Sequence, residues 1–365
     1  MIYRSSDQEI SNYYASGNIN QSSLKYILER GMEDYLQNKE RLLGQEDLYY
    51  EEKEWLIIGS AVDCILTCGR EEFERKYYFS KLLKKPGEKV MSILKSVYDA
   101  IVLSNTEVNQ LFRYAEAIWY SCNQHEYYMN RVKTYTEDTR VAGILSDPTA
   151  IEYWDDLKSS AGRQILSDEQ FNTINTVAEN FLNHEHTKGL FTDVTGLDFI
   201  FQLPLYFNNY GTACKMMPDE IMINHRAKRI IPLDFKTMSG YVSRFNKSAR
   251  KRRYDIQGAF YTDGIQKSLQ TISDLIGKDV SDYTIARFAF AVESTTNPGT
   301  PMIFPLTEDL LNVGRSGDGD ELLGYVQALG LYNIWADNEF RLDKVVSSTG
   351  GVVLLGKDYE YNLDV

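Results

Sequence analysis

The chain is poor in the residues that mark secreted, redox or zinc-binding proteins. Of 365 residues only four are cysteine and four histidine. Cys64, Cys68, Cys122 and Cys214 are scattered and form no CxxC pair. Cys64 and Cys68 fall in one apolar helical run and read as buried free thiols, and no cysteine spacing matches an iron–sulfur cluster. His125, His184, His186 and His225 lack zinc-site spacing and read as surface or capping residues. No apolar run approaches the roughly 18–20 residues needed to span a bilayer. The opening MIYRSSDQEI lacks a basic-then-apolar signal, so the expectation is a cytoplasmic protein with no membrane association. There is no GxxxxGK[ST], which excludes a P-loop ATPase in this chain, and no motif supports Ser-His-Asp chemistry. Positive charge is also short: 39 Lys and Arg face 52 Asp and Glu, a net charge of −13. That counts against binding nucleic acid through the overall field.

Against this deficit lies one basic run. Arg244, Lys247, Arg250, Lys251, Arg252 and Arg253 fall within ten residues with no acid among them. A solvated loop normally mixes signs, so the run is expected to contact phosphates.

Residues 1 to about 190 read as mainly helical. Asn20-Gln21-Ser22-Ser23 offers N-cap residues before LKYILERGMEDYL, where Leu24, Ile27, Leu28 and Leu36 recur at helical spacing. Trp55 to Cys68 reads as a buried helix in which Gly59 permits close packing. Ser167-Asp168-Glu169-Gln170 looks like a helix start. From Gly196 the period changes to alternation. FIFQLPLYF, TACKMMPD, RIIPLDFKT and IARFAFAVES read as four strands, with a turn at Asn208–Gly211 and one long helix from about Ser248 to Ser268 before the last. The implied fold class is α/β (α+β): a mixed central sheet flanked by helices, with a helical N-terminal elaboration. The expected division is 1–190, contributing the 55–68 helix to the site, then a core over 191–306, then a C-terminal helix and tail over 307–365. The 86–165 segment carries no motif and reads as a helical elaboration.

The chemistry concentrates in the core. Strand alternation puts Asp234 and Lys236 side by side on one face of RIIPLDFKT. Asp219, after Pro218, is expected to end the preceding strand, with a hairpin bringing it to Asp234. Two converging carboxylates repel unless a cation lies between them, and hard oxygens favour Mg²⁺ or Mn²⁺. A lysine beside such a metal can orient or deprotonate water and neutralise charge on a phosphate. An Asp-x-Lys alone is most often a surface ion pair. Gln257 and Tyr261, at i and i+4 on a helix, change that balance. Arg250 and Tyr254 are expected on the same stripe, giving a face of phosphate-binding groups.

The arrangement resembles the PD-(D/E)XK nuclease superfamily, and within it the phage and prophage exonuclease VIII (RecE-type) group. There a proline-aspartate precedes a D-x-K strand and a Q-x-x-x-Y helix. NQSSLKYILE, GSAVDCIL, ILSDEQFNTINTVAENFLNH and FAFAVEST are similar to further segments of that group, so the likeness covers roughly residues 18–80 and 165–335. It implies a restriction-endonuclease-like core and a Mg²⁺- or Mn²⁺-dependent deoxyribonuclease. Asp219, Asp234 and the Phe235 carbonyl would be metal ligands, with Lys236, Gln257 and Tyr261 catalytic. It also implies a 5′-to-3′ exonuclease acting on double-stranded ends in phage-type recombination. A ring-like homo-oligomer, a single-strand annealing partner and a bacterial or phage-infected cytoplasm follow from the same resemblance. Two positions depart from the pattern. Asp63 stands where the family has a metal-binding histidine, and is expected to serve as an additional ligand. Gln202 stands where a glutamate is frequent, and is expected to contact water or substrate. An endonuclease or end-processing nuclease of the same superfamily, or a silent DNA-binding scaffold, are the rival readings.

Overall fold

The computed structural model describes residues 1–42, 54–80, 82, 84–129, 138–192, 194–319 and 321–350. The chain divides into two compact units, Met1–Cys68 with Thr176–Val365, and Gly69–Asn175. The borders thus fall at 68/69 and 175/176, not at 190 and 306.

The first unit begins with a strand that the sequence reading missed, β1 (Ile2–Arg4). Helices α1 (Asp7–Ala15), α2 (Gln21–Arg30), α3 (Met32–Leu42) and α4 (Glu54–Thr67) follow. Asn20 caps α2 by accepting from the Ser23 amide at 2.9 Å, as the polar run before the helix suggested. The expected single helix through Leu36 breaks at Gly31, whose φ of +87° only glycine adopts cheaply. In α4, a Cβ on Gly59 would lie 3.3 Å from Thr237 Oγ1, a tight contact that glycine avoids where the helix approaches a core strand.

The second unit contains α5 (Arg70–Lys76), β2 (Tyr77–Phe79), α6 (Glu88–Leu103), α7 (Ala115–Gln124), α8 (Thr139–Ser146), α9 (Pro148–Ser160) and β3 (Gln164–Leu166). β2 and β3 pair in parallel. Its own core gathers Ile93, Leu94, Ile118, Cys122 and Trp154. Helix α10 (Asp168–Asn183) crosses the 175/176 border. Its start is a reciprocal cap: the Gln170 amide donates to Ser167 Oγ and the Ser167 amide to Gln170 Oε1.

The remainder of the first unit comprises β4 (Leu197–Phe201), β5 (Leu205–Asn209), β6 (Thr212–Met216), β7 (Glu220–Asn224), β8 (Arg229–Met238), α11 (Phe245–Lys251), α12 (Tyr254–Lys267), α13 (Leu269–Ile276), β9 (Thr284–Ile285), β10 (Ala289–Ser294), β11 (Met302–Pro305), α14 (Glu308–Ser316), α15 (Tyr325–Asp337) and α16 (Leu342–Thr349). The central sheet runs β1-β4-β7-β8-β10-β11, with β9 on the end of β8. β1–β4, β8–β9 and β8–β10 are parallel, and the other pairs antiparallel. This is the expected mixed sheet flanked by helices.

Several boundaries differ from the sequence reading. FIFQLPLYF is two strands, because Gln202 takes a positive φ of 49° and Pro204 follows. β5 and β6 form their own two-stranded sheet, joined through Tyr210 and Gly211, both at positive φ. IARFAFAVES likewise splits into β9 and β10. The long helix from Ser248 is two helices, α11 and α12, separated at Arg253 with φ 50°. Among the described residues, no helix is long and apolar enough to cross a membrane.

Candidate active site

The β7–β8 hairpin builds the centre of the site. It turns at residues 225–228, where the Ala227 amide donates to Asn224 Oδ1 at 2.9 Å. Its register pairs Glu220 with Leu233, so one step further places Asp219 opposite Asp234. Asp219 therefore precedes β7 rather than ending the strand before it, and TACKMMPD is not the hairpin partner. The β6 strand ends at Met216, and the chain crosses from one sheet to the other before Asp219. The Phe235 amide donates to Asp219 Oδ2 at 2.7 Å. The Gln202 amide donates to the Asp219 carbonyl at 3.1 Å. Asp219 is thus fixed from both neighbouring strands.

On β8, Asp234 is only 3% exposed. Its Oδ1 accepts from Gln257 Nε2 at 2.6 Å, and its Oδ2 lies against the Lys236 ammonium. Helix α12 carries Gln257 over the strand, with Tyr261 one turn on, buried and edge-on to Phe288 at 5.7 Å between ring centres. The expected Arg250 does not share this stripe, because it belongs to α11. Tyr254 does share it. The Phe235 ring points to the opposite face of the sheet, between Phe181 and Phe191, leaving only its backbone for the site.

Asp63 enters from α4. Its Oδ2 accepts from Gln202 Nε2 at 2.8 Å, while Gln202 Oε1 accepts from the Cys68 thiol at 3.5 Å. Gln202 therefore holds Asp63 instead of facing water or substrate; its positive φ after β4 turns it there. Asp63, Asp219, Asp234, Lys236, Gln257 and Tyr261 all line one cavity of about 900 Å³.

The electrostatics fit that convergence. Burial, then the charges of Asp234 and Asp63, push the Asp219 carboxyl well above its ordinary range; Lys236 and the Phe235 amide oppose this only in part. Burial alone would lower the Lys236 ammonium, but Asp234 and Asp219 outweigh it and raise it. Lys236 is a proton-holding cation here, not a resident base. Burial and nearby acids raise Tyr261 well above its usual value, so it stays a phenol donor.

Three carboxylates in one wall are the donor chemistry of a hard divalent cation. As the side chains stand, each is engaged: Asp63 with Gln202, Asp219 with the Phe235 amide, Asp234 with Gln257 and Lys236. Among the described residues no three His, Cys, Asp or Glu side chains are gathered tightly enough to enclose an ion in these rotamers. Holding one would require Asp63 and Asp219 to turn.

The basic run separates into two parts. Arg244, Lys247, Arg250, Lys251 and Arg252 are exposed on and around α11. Arg244 lies over the Tyr241 ring at 5.7 Å, and Arg252 lines the cavity with its guanidinium 5.7 Å from the Trp55 ring centre. Arg253 does not belong with them. It grips Asp255 through Nε and Nη2 and donates to the Leu323 carbonyl at 2.8 Å. It is the residue that adopts positive φ between the helices, so its role is structural.

Two residues of the cavity, and one buried acid beside it, escaped the sequence reading. Lys25 lines the cavity, its ammonium 5.6 Å from the Tyr254 ring centre. Trp55, 54% exposed, stands at its rim. Glu220, next to Asp219 but outside the cavity lining, is fully buried with neither oxygen hydrogen-bonded among the described residues, and burial raises it well above its usual value. Lys25 sits in an otherwise amphipathic pattern, and Glu220 in what read as a loop, so local pattern gave neither away.

No family model matches the sequence, and no curated protein matches it. Among solved structures it is similar to a "putative exonuclease" from Eubacterium rectale, with 13% identity and a TM-score of 0.41 over 96% of this chain and 88% of that one.

Proposed function

We propose that this chain is a divalent-metal-dependent deoxyribonuclease. The observation that carries this reading is the hairpin register that sets Asp219 opposite Asp234 at the foot of one cavity, with Lys236 beside them and Gln257 bonded to Asp234. Asp219, Asp234 and the Phe235 carbonyl would hold Mg²⁺ or Mn²⁺, with Asp63 as a further carboxylate. The metal would supply Lewis-acid polarisation of the phosphate and an acidified water. Lys236 orients that water and neutralises charge developing on the phosphoryl oxygens. Gln257 fixes the Asp234 carboxylate, and the Tyr261 phenol donates towards water or phosphate. The exposed cations around α11 lead the DNA backbone to the cavity. By resemblance to the RecE-type group, the finer reading is a 5′-to-3′ exonuclease on duplex ends that works with an annealing protein as a ring.

A silent DNA-binding scaffold is the second reading, favoured by the Gln202–Asp63 bond, which already occupies one carboxylate. The test is incubation of linear and closed-circular duplex with Mg²⁺, Mn²⁺ or EDTA. Metal-dependent loss of linear DNA alone supports the exonuclease. Cutting of the circle points to an endonuclease. Intact DNA in every metal, with retained binding, leaves the scaffold.

A further inference from the structure

Lys25 is a cation in the cavity wall that makes no ion pair among the described residues, though Asp234, Glu29 and Asp255 act on it from further off. It projects from α2, and its hydrogen bond among the described residues is a long one, 3.5 Å to the Arg252 carbonyl. No carboxylate pairs with it there, although Asp63, Asp219 and Asp234 line the same cavity. Its ammonium and that of Lys236 each lie 5.6 Å from the centre of the Tyr254 ring. That ring is itself fixed by stacking on Phe290 at 5.0 Å. Lys236 is committed to Asp234; Lys25 has only the long bond to the Arg252 carbonyl and the Tyr254 ring among the described residues. A half-buried ammonium forfeits hydration and keeps that cost unless an anion arrives. Burial first, then the neighbouring charge of Lys236, lowers Lys25 to about 8, against the pull of Asp234. An anionic ligand between the two lysines would relieve both causes of that strain.

We infer that Lys25 is a phosphate-contacting residue of this site, its ammonium pairing with a non-bridging oxygen of the phosphodiester that lies over Asp234 and Lys236. The inference rests on the nuclease reading and deepens it. The phosphate would be held from two helices and a strand: Lys25 of α2, Tyr261 of α12 and Lys236 of β8. The carboxylates on the other side would be left for the metal. Lys25 forms and breaks no covalent bond; it holds negative charge that grows as the phosphoryl group is attacked.

The experiment compares the full-length protein with Lys25→Met and Lys25→Arg. Single-turnover cleavage of a short linear duplex is read at saturating protein with Mg²⁺. DNA affinity is read across a salt series with Ca²⁺ in place of Mg²⁺, and the melting temperature is read alongside. Lys25→Met should lose about 10²-fold in cleavage, the usual cost of one lost donor to developing charge. It should also lower the salt slope of binding by about 0.9, one phosphate contact on duplex DNA. Lys25→Arg should keep the slope and recover part of the rate. A merely structural lysine would shift the melting temperature and leave the salt slope alone. Should Lys25→Met fail to fold, Lys25→Gln takes its place in both assays. If wild type cleaves and the variant matches it within about twofold with an unchanged slope, the inference is overturned and the nuclease reading stands. If wild type cleaves nothing with any metal, the nuclease reading fails, and an unchanged slope would then dispose of Lys25 as well.

Discussion

Two aspartates withdrawn from solvent in the first unit have opposite surroundings. Asp198, in β4, is 3% exposed and collects cations. Its oxygens accept from the Met1 amine at 2.7 Å, from His225 Nε2 at 2.6 Å and from Lys278 at 3.4 Å. Burial would raise it, but these donors outweigh burial and lower it. Asp219, at the head of β7, is partly buried in the cavity wall but has acids for neighbours and is raised. The same unit thus compensates one carboxylate with three donors and leaves the other short of positive charge. Composition cannot explain the difference, since both lie in one acidic chain. Such a shortfall is tolerable where a cation from outside completes the set. The contrast sets Asp219 and Asp234 apart as the candidate metal pair and Asp198 as a clamp.

The largest expected break in this contrast is functional. Asp234→Ala or Asp219→Asn should cost several orders of magnitude in cleavage, because water activation and charge stabilisation are lost together. The metal-free stability should move the other way for Asp219→Asn. A carboxyl raised by folding contributes stability that is present below its unfolded value, near 4, and lost as pH rises through its folded value. Near neutral pH the neutral variant should therefore melt higher than wild type without metal, and the gap should close in acid. Added Mg²⁺ should raise the wild-type melting temperature and barely affect the variant. A folded Asp234→Ala protein with near-normal cleavage would remove the site assignment altogether.

This much of the site was legible because it depends on local periodicity. Asp234 and Lys236 share a strand face, and Gln257 and Tyr261 share a helix face, whatever the tertiary fold. Asp219 lies opposite Asp234 in the cavity as expected, but it precedes β7 and does not end the strand before it. EIMIN is too short and follows a proline–aspartate step, so the chain's transfer from one sheet to another left no sequence mark. The breaks at Gln202 and Arg253 were invisible for a different reason. Both are non-glycine residues at positive φ, held there by tertiary bonds: Gln202 to Asp63, Arg253 to Asp255 and Leu323. The β1 strand was missed because three residues carry no periodicity; its place comes from parallel pairing with β4.

The next effect is kinetic. On the proposed mechanism, Lys236→Ala should lower kcat by about 10²–10³ while DNA and metal still bind, since Lys236 would contribute charge to the transition state more than to the ground state. Lys236→Arg should rescue little, because a planar fork does not replace a compact ammonium at a water. Normal single-turnover cleavage with weakened DNA affinity would recast Lys236 as a docking residue.

On the clamp side, Asp198→Asn should leave cleavage unchanged and cost about 1–3 kcal/mol of stability, the range for hydrogen bonds to a buried charged group. Its pH dependence has the opposite sign to that of Asp219. A lowered carboxyl stabilises above its unfolded value, and that stabilisation is lost as pH falls through the folded value. The gap between wild type and Asp198→Asn in denaturant melts should therefore be widest near neutrality and shrink in acid. An equal gap at pH 3 and pH 7 would mean that the cations around Asp198 contribute packing and not charge.

The smallest effect separates two neighbours in the basic run. Arg250→Ala with Lys251→Ala removes two exposed cations from α11. It should weaken DNA binding about equally for all sequences and reduce the salt slope by about 0.9 for each lost contact. Stability should change by no more than about 0.5 kcal/mol, as for most surface substitutions. Arg253→Ala should do the reverse. It strands Asp255 and the Leu323 carbonyl at the α11–α12 junction, so it should lower the melting temperature and leave the salt slope where it was. The double variant removes two positive charges and Arg253→Ala one, so long-range field alone would flatten the slope in both, by half as much in the second; an unchanged slope with a lowered melting temperature can come only from placement. If Arg253→Ala flattened the slope as strongly as the double variant, the junction arginine would have to release Asp255 and turn outwards to DNA, and the division of the run into contacting and structural cations would fall.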